Sequence, residues 1–135
     1  MGSRRKSREL TLQALYQAEV NGTEPLEQFA LFCANFQVND KIIPLAQELL
    51  LGISDHAIEI DTLISQHAKN WRVGRMSIID RNLIRLGVYE VLFRADVPAT
   101  VAINEAIEIA KRYSTDDAPS FINGILDAIS NGKSQ

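Results

Sequence analysis

The side chains that could carry out catalysis or bind a metal ion are few and widely spaced. Cys33, the one cysteine, falls on the apolar row of a predicted helix, where it reads as a small core residue rather than a nucleophile. His56 and His67 are eleven positions apart, about 16 Å along a helix axis, so one metal ion cannot bind both. Glu105 and Glu108 lie on a predicted solvent-facing helix surface. The sequence therefore predicts no enzyme, no metal site and no cofactor.

A compact group of positive charges lies at the start of the chain. Four of the 14 basic residues occur within the first eight positions, and we call Arg4, Arg5, Lys6 and Arg8 the basic head. The rest of the chain carries 10 basic and 17 acidic residues, a formal charge of −7. Such a head suits an anionic polymer better than a small anion. The alternative is a solvated, frayed terminus that binds no ligand.

The helix that carries the basic head places it where positive charge is unfavourable. Leu10, Ala14 and Ala18 form one apolar row of a helix predicted over residues 4–21, which ends before Gly22. We expect the packed rows to begin at Leu10, beyond the basic turns. Positive charge at a helix N-terminus opposes the macrodipole by roughly a few tenths of a kcal/mol per charge. This cost favours contact with a ligand over a purely structural role.

The stretch from Ser77 to Arg94 is apolar on almost every side of a helical wheel. A helix of this kind is normally buried among other helices. Ser77 is predicted to cap its start, with Asp80 at the third helical position. The other segments are amphipathic, and each has one apolar face to lay against this central helix.

Four further helices follow from apolar spacing and from the positions of Pro and Gly. They are predicted from Pro25 to about Val38, from about Ile43 to Lys69, over about 99–113, and from Asp117, as N-cap, to Asn131-Gly132. The helix over 99–113 is predicted to turn the following residues inward: Ala102, Ile103, Ala106, Ile107, Ala110 and Tyr113.

The sequence therefore predicts an all-α fold. We expect a single domain of about six to seven helices in two packed subdomains, about 1–70 and 77–135, with Trp71 at their junction. The length of 135 residues suits one domain with a sizeable core. No apolar run reaches the roughly 18 residues that span a bilayer. One cysteine cannot form an internal disulfide, which indicates a reducing, cytoplasmic location.

Three segments of the sequence resemble the NusB family of bacterial transcription antitermination factors. They are RRKSRELTLQALYQ (4–17), DRNLIRLGVYEVL (80–92) and VPATVAINEAIEIAKRYSTDDAPSFINGILDAI (97–129). The likeness covers essentially the whole chain and is strongest in the last third, where INEAIEIAK is followed by FINGILD. Residues 24–76 match only in helical character.

The resemblance implies an all-helical bundle that binds single-stranded boxA RNA in nascent ribosomal RNA leader transcripts. It implies joint action with a ribosomal protein that doubles as NusE. Other Nus factors and RNA polymerase would be indirect partners, and no membrane would be involved. Whether the free protein is a monomer or a homodimer stays open.

The resemblance also assigns residues to the two partners. RNA contacts fall on the basic head (Arg4, Arg5, Lys6 and Arg8), Asp117 and Phe121, and NusE contacts fall on Tyr16 and Asp80. The position before Phe121 is often basic in the family and is Ser120 here, which leaves open whether a phosphate is bound there. On the residues alone, Phe121 and Tyr16 also fit core packing.

General principles of RNA recognition agree with these assignments. Readers of single-stranded RNA stack splayed bases on aromatic rings, while basic groups follow the backbone. The helix N-terminus at 117–121 would present free backbone N–H groups to a phosphate. Two alternatives stay open: an RNA-guiding domain like those of some RNA methyltransferases, and a purely protein-binding helical adaptor. The lack of a cofactor-binding α/β domain in this sequence argues against the first, and RNA binding by the isolated protein would argue against the second.

Overall fold

The computed structural model describes residues 2–68 and 75–133, and within these ranges it contains seven α-helices and no strand. They are α1 (Ser3–Asn21), α2 (Pro25–Asn35), α3 (Ile43–Asp55), α4 (Ala57–His67), α5 (Ile78–Phe93), α6 (Ala99–Tyr113) and α7 (Ala118–Lys133). The all-α prediction is confirmed. Trp71 lies outside the described residues. None of the described helices combines the length and apolarity needed to span a membrane.

The chain divides into two compact units, unit 1 (Met1–Asp55) and unit 2 (His56–Gln135). The sequence places this division later, at about residues 70–77, because it predicts one long helix over 43–69. That helix is two helices in the structure, since the backbone at His56 (φ −113°, ψ 19°) interrupts it before α4 begins. Helix α4 packs against α5 and α7 and so belongs to unit 2.

In unit 1, α1 packs against both α2 and α3. Its buried apolar side chains are Leu10, Leu12, Ala14, Leu15 and Ala18, and those of α3 are Ala46, Leu49, Leu50 and Ile53. Helix α2 buries only Gln28 and Phe29. It ends at Asn35, earlier than predicted, because Phe36 is extended (φ −128°, ψ 152°). Phe36 lies just past the helix and is 60% exposed.

The packed part of α1 begins about one turn earlier than the sequence predicts. The Ser7 hydroxyl donates to the carbonyl oxygen of Ile42 at 2.9 Å, and the Thr11 hydroxyl donates to the carbonyl oxygen of Ser7 at 2.9 Å. Ser7, Arg8 and Thr11 are all buried. The expectation of a start at Leu10 was wrong, because it considered only apolar side chains.

In unit 2, α5 is the central helix and packs against α4, α6 and α7. Nine of its 16 residues are buried. The predicted cap is confirmed, since the Ser77 hydroxyl oxygen accepts a hydrogen bond from the backbone N–H of Asp80 at 3.1 Å. Arg85 donates to both carboxylate oxygens of Asp61, at 2.8 and 2.9 Å, and this pair joins α5 to α4.

Helix α6 departs from the predicted inward face at two positions and adds one. Ile109 is completely buried although it was not predicted to face inward. Ile107 is only half-buried, and Tyr113 is 48% exposed. Tyr113 is the last residue of α6. The helical wheel correctly places Tyr113 in line with the inner face of α6. It does not show that the neighbouring helices end before this residue, and Tyr113 was therefore wrongly predicted to face inward.

Two glycines in unit 2 stand in opposite surroundings. Gly87 lies in the buried part of α5, and a Cβ added there would meet Cδ1 of Leu126 on α7 at 2.7 Å. Leu126 is itself completely buried. Gly124 lies on the exposed side of α7, and among the described residues no atom lies within 4 Å of an added Cβ. The first glycine therefore permits a close approach of two helices, and the second does not.

We predict that alanine has opposite effects at these two positions. Gly124→Ala should raise the free energy of unfolding by about 0.5–1 kcal/mol, because alanine is the better helix former. Gly87→Ala should lower it, because overpacking costs about 1–3 kcal/mol, more than the helix gains. Urea denaturation of both variants measures the difference. An equal gain at both positions would contradict the close approach of α5 and α7.

Candidate functional site

The four residues of the basic head differ in exposure. All lie in the first two turns of α1, where Gly2 provides no side-chain cap and no acidic residue occurs in the first turn. Arg4 and Lys6 are exposed, Arg5 is half-buried, and Arg8 is only 3% exposed. Arg4 and Lys6 are therefore the members of the head best placed to meet a ligand in solution.

We predict that Arg8 contributes to the stability of unit 1 and that Lys6 does not. Arg8→Ala should lower the free energy of unfolding by roughly 1–3 kcal/mol, because the variant loses a side chain that is almost fully buried, guanidinium included. Lys6→Ala, the matched control two positions earlier, should change it by less than about 0.5 kcal/mol. Thermal and urea denaturation measure both. Equal stability of the two variants would show that Arg8 is not held by packing.

Tyr16 lies on the outer side of α1, and its side chain is 41% exposed. Val20 follows one turn later on the same side of the helix and is also exposed. Ala14, Leu15 and Ala18 form the buried side. The two exposed side chains make a small apolar surface on unit 1, so core packing does not account for Tyr16.

Asp80 joins two helices of unit 2. Its carboxylate oxygen Oδ1 accepts a hydrogen bond of 2.6 Å from the hydroxyl of Ser114, the residue that caps the end of α6. Its backbone N–H donates to Ser77 at the start of α5. Asp80 is half-buried. This hydrogen bond fixes the start of α5 next to the end of α6, and part of Asp80 remains at the surface.

Asp117 and Phe121 lie at the start of α7. Asp117 is exposed and directly precedes the helix, and its carbonyl oxygen accepts a hydrogen bond from the backbone N–H of Phe121 at 3.3 Å. Ala118 and Ile122, which both lie on one side of Phe121 around the helix, are buried, whereas Ser120 and Gly124 on its other side are exposed. Phe121 itself is half-buried. It thus lies at the edge between the core and the solvent.

The fold of unit 2 brings its predicted site residues to one end. The hydrogen bond from Ser114 to Asp80 joins the end of α6 to the start of α5, and residues 114–117 lead directly into α7. We call the start of α5, the end of α6 and the start of α7 the Asp80 end of unit 2. Asp80, Asp117 and Phe121 lie there, whereas the basic head and Tyr16 lie on α1 of unit 1.

Sequence reasoning missed one exposed pair at the Asp80 end. The guanidinium carbon of Arg112 lies 5.6 Å from the centre of the Tyr113 ring, within the range of a cation–π interaction. Tyr113 was predicted to be a core residue because of its helical spacing. Its place as the last residue before the Ser-Thr-Asp-Asp turn is the signal that could have indicated exposure.

The surroundings of Cys33, His56 and His67 are explained by contacts within their own units. Burial raises the pKa of the Cys33 thiol, which lowers its thiolate fraction at neutral pH. His56 stacks on Phe93 with ring centres 3.9 Å apart, and His67 Nδ1 lies 2.9 Å from a backbone carbonyl oxygen of α4. Within residues 2–68 and 75–133, no three His, Cys, Asp or Glu side chains are grouped so as to hold a metal ion.

A shallow surface depression of about 580 Å³ runs along the outer face of α4. Its lining residues are Ala57, Ile58, Asp61, Thr62, Ser65 and Gln66. None of them is a predicted site residue, so this depression is separate from the Asp80 end.

Comparison with known proteins identifies the family. The model of the NusB family matches residues 5–131. The chain belongs to the NusB family. Among its curated relatives, the transcription antitermination protein NusB of Desulforapulum autotrophicum is 46% identical over 131 residues, which cover 96% of this chain and 92% of that protein. The NusB of Desulfatibacillum aliphaticivorans is 48% identical over 129 residues, with 96% and 90% covered.

Solved structures of NusB proteins have the same fold. T. maritima NusB superposes with a TM-score of 0.85 at 41% identity, covering 95% of this chain and 90% of that one. A crystal structure of the antitermination factors NusB and NusE in complex with dsRNA gives a TM-score of 0.83 at 27% identity, with 96% and 97% covered. These matches confirm the resemblance and the all-helical fold expected from the sequence.

Proposed function

We propose that this chain is an RNA-binding transcription antitermination factor that acts together with NusE. The observation that carries the proposal is the match to curated transcription antitermination proteins over almost their whole length, at 46% and 48% identity. A structural neighbour with the same fold was solved with NusE and RNA. The name of these relatives designates a transcription factor, and we assign no catalytic step to the chain.

The proposed RNA is a single-stranded boxA element in nascent ribosomal RNA leader transcripts. This assignment rests on the family resemblance and on the pairing of cationic with aromatic side chains, which suits single strands. The RNA in the solved NusB–NusE complex is double-stranded. Binding assays therefore need both a single-stranded boxA oligonucleotide and its duplex. Since bacterial transcripts are made in the cytoplasm, we place the protein there, with RNA polymerase and other Nus factors as indirect partners.

We assign phosphate contacts to the basic head of unit 1. Arg4 and Lys6 are exposed in the first turns of α1, and the unfavourable position of these charges in the free protein agrees with a role in binding a polyanion. Arg5 is half-buried and contributes a smaller accessible surface. Arg8 remains part of the proposal only through the resemblance, because its side chain is buried.

We assign base contacts to Phe121 and Asp117 in unit 2. The partly exposed ring of Phe121 can stack on an unpaired base. The exposed carboxylate of Asp117 can accept a hydrogen bond from a base amino group. The backbone N–H groups of Ala118 and Phe121 already donate to carbonyl oxygens. The backbone N–H of Ser120 can meet a phosphate without a basic side chain at that position.

We assign contacts with NusE to Tyr16 on unit 1 and to Asp80 on unit 2. Tyr16 is an exposed aromatic with exposed Val20 beside it, and tyrosine is enriched among residues that dominate protein interfaces. Asp80 is held in place by Ser114 and stays partly exposed. A positioned carboxylate of this kind suits a basic group on a protein partner.

We predict that the salt dependence of RNA binding identifies the phosphate contacts. Neutralising single-strand phosphates gives a slope of log K against log[salt] near −0.7 per contact. Arg4→Gln combined with Lys6→Gln should therefore flatten the slope for boxA RNA by up to about 1.4. Fluorescence anisotropy at several salt concentrations measures it. Substitution is preferable to deleting residues 1–8, because Ser7 and Arg8 are packed.

A matched control removes two positive charges elsewhere. Lys41→Gln combined with Arg94→Gln, at the opposite end of α5 from Asp80, has the same net charge as the test variant and should leave the slope close to that of the wild type. If both double variants change the slope equally, the basic head acts only through net charge. If the wild type binds no RNA, the protein-binding adaptor is the better description.

We predict that Phe121→Ala weakens boxA binding by about 1–3 kcal/mol, because a base loses its stacking partner. Phe121→Trp should retain most of the affinity, because a larger aromatic face remains. Thermal melting of both variants is the control, and we expect only a small loss of stability for a half-buried ring. A large drop in melting temperature with unchanged affinity of the folded variant would show that Phe121 serves the core.

A further inference from the structure

The carboxylate of Asp80 bonds a distant residue where its sequence position suits a local one. Ser77 and Asp80 have the spacing of a capping box, in which the acid reaches back to the backbone N–H of the N-cap residue. The structure forms one half of the box, since the Ser77 hydroxyl accepts the Asp80 backbone N–H at 3.1 Å. In place of the other half, Asp80 Oδ1 accepts the hydroxyl of Ser114 at 2.6 Å, 34 positions along the chain. The carboxylate is therefore held toward the end of α6 and not toward its own helix start.

Ser114 is a well-fixed donor for this hydrogen bond. Its backbone N–H donates to the carbonyl oxygen of Ala110 at 2.9 Å, which ties it to the last turn of α6. Its backbone is extended, with φ −122° and ψ −169°. The distance of 2.6 Å is in the short range found for hydroxyl groups that donate to a charged oxygen. A hydroxyl on a fixed backbone can hold the Asp80 carboxylate in one orientation.

The hydrogen bond from Ser114 engages one oxygen of the Asp80 carboxylate and leaves the other for a partner. Among the described residues, Oδ2 of Asp80 accepts no hydrogen bond, and the residue is half-buried. A carboxylate that is oriented before binding loses less side-chain entropy when it meets a basic group. A carboxylate turned back to the N-cap of α5 would first have to leave that backbone N–H. The orientation set by Ser114 thus bears on affinity for a partner.

We propose that Ser114 is a positioning residue for NusE binding. Its hydroxyl holds the Asp80 carboxylate out of the capping box and ready for a basic group of NusE, and Ser114 does not itself contact NusE. The inference rests on the proposed function, because the NusE contact of Asp80 is assigned there. Ser114 acts on affinity more than on stability, because a carboxylate released from Ser114 can complete the capping box at Ser77.

The first test measures the NusE affinity of the full chain by isothermal titration calorimetry. Ser114→Ala should weaken binding about 3- to 10-fold, because the carboxylate must then be ordered on binding. Ser114→Thr should stay within about twofold of the wild type, because the hydroxyl remains and threonine suits an extended backbone. Thr115→Ala, the matched control, removes the side chain of the next, exposed residue and should leave NusE affinity unchanged.

A double-mutant cycle shows whether Ser114 acts through Asp80. Asp80→Asn alone should weaken NusE binding at least as much as Ser114→Ala does. Adding Ser114→Ala to Asp80→Asn should change the affinity by less than about 1.5-fold, because no charged group remains to be positioned. Additive losses in the double variant would show that Ser114 acts independently of Asp80 and would overturn the proposal.

Melting and amide exchange of the free chain separate positioning from simple stabilisation. Ser114→Ala should lower the melting temperature by less than about 3 °C, because the completed capping box offsets the lost hydrogen bond. The amide proton of Ser77 should exchange more slowly in this variant than in the wild type, because the Asp80 carboxylate then accepts it. A large drop in melting temperature without slower exchange at Ser77 would show that the hydrogen bond only stabilises the fold, against the proposal.

The outcomes separate the inference from the function on which it rests. If the wild type does not bind NusE, or if Asp80→Asn binds it equally well, the assigned contact and this inference fall together. If Asp80→Asn weakens binding and Ser114→Ala does not, only the inference is overturned. Without NusE, Ser114→Ala should bind boxA RNA within about twofold of the wild type. A larger loss for boxA with unchanged NusE affinity would show that Ser114 serves RNA binding instead.

Discussion

Helix α5 has apolar side chains on nearly every side, so it is stable only where other helices exclude water from all of them. In unit 2, α4, α6 and α7 do this. Gly87 lets α7 approach α5 closely, and the Arg85–Asp61 pair joins α4 to it. Surrounding one helix in this way brings the start of α5 to the end of α6 and the start of α7. Asp80 and Phe121, forty-one positions apart in the sequence, share one end of the unit for this reason.

The two units use different physical means to present their surface residues. In unit 1, all of the predicted site residues lie on one helix: the inner side of α1 packs against α2 and α3, and the outer side carries Tyr16. The surface of α1 therefore follows from the order of its own residues, with positive charge at the start of the helix. In unit 2, the surface is assembled from three helices, and hydrogen bonds such as the one from Ser114 to Asp80 hold the parts in register. Long-range electrostatic attraction suits the first arrangement, and short-range fit suits the second.

The sequence predicts helix ends that carry a cap residue better than it predicts breaks and burial. Ser77 and Gly22 mark their helix ends through caps, which are local and depend on one or two residues. The sequence pattern does not predict the helix break at His56, because apolar residues continue at helical spacing on both sides of it. Arg8 is misjudged because charge suggests exposure, whereas its whole side chain is buried, guanidinium included. Tyr113 is misjudged because periodicity gives a direction around the helix and not the extent of the neighbouring helices.

The uncapped, acid-free start of α1 has a consequence for the coupling between folding and binding. Its positive charges oppose the macrodipole in the free protein, and a polyanion bound beside them removes that opposition. By thermodynamic reciprocity, if the ordered first turn raises the affinity for the polyanion, the bound polyanion stabilises the ordered turn by the same free energy. Amide protons of the first turns would thus exchange more slowly in the bound state. An acidic substitution at Ser3 would stabilise the first turn of α1 and weaken its attraction for the polyanion. The charge at the helix start therefore affects helix stability and polyanion affinity in opposite directions.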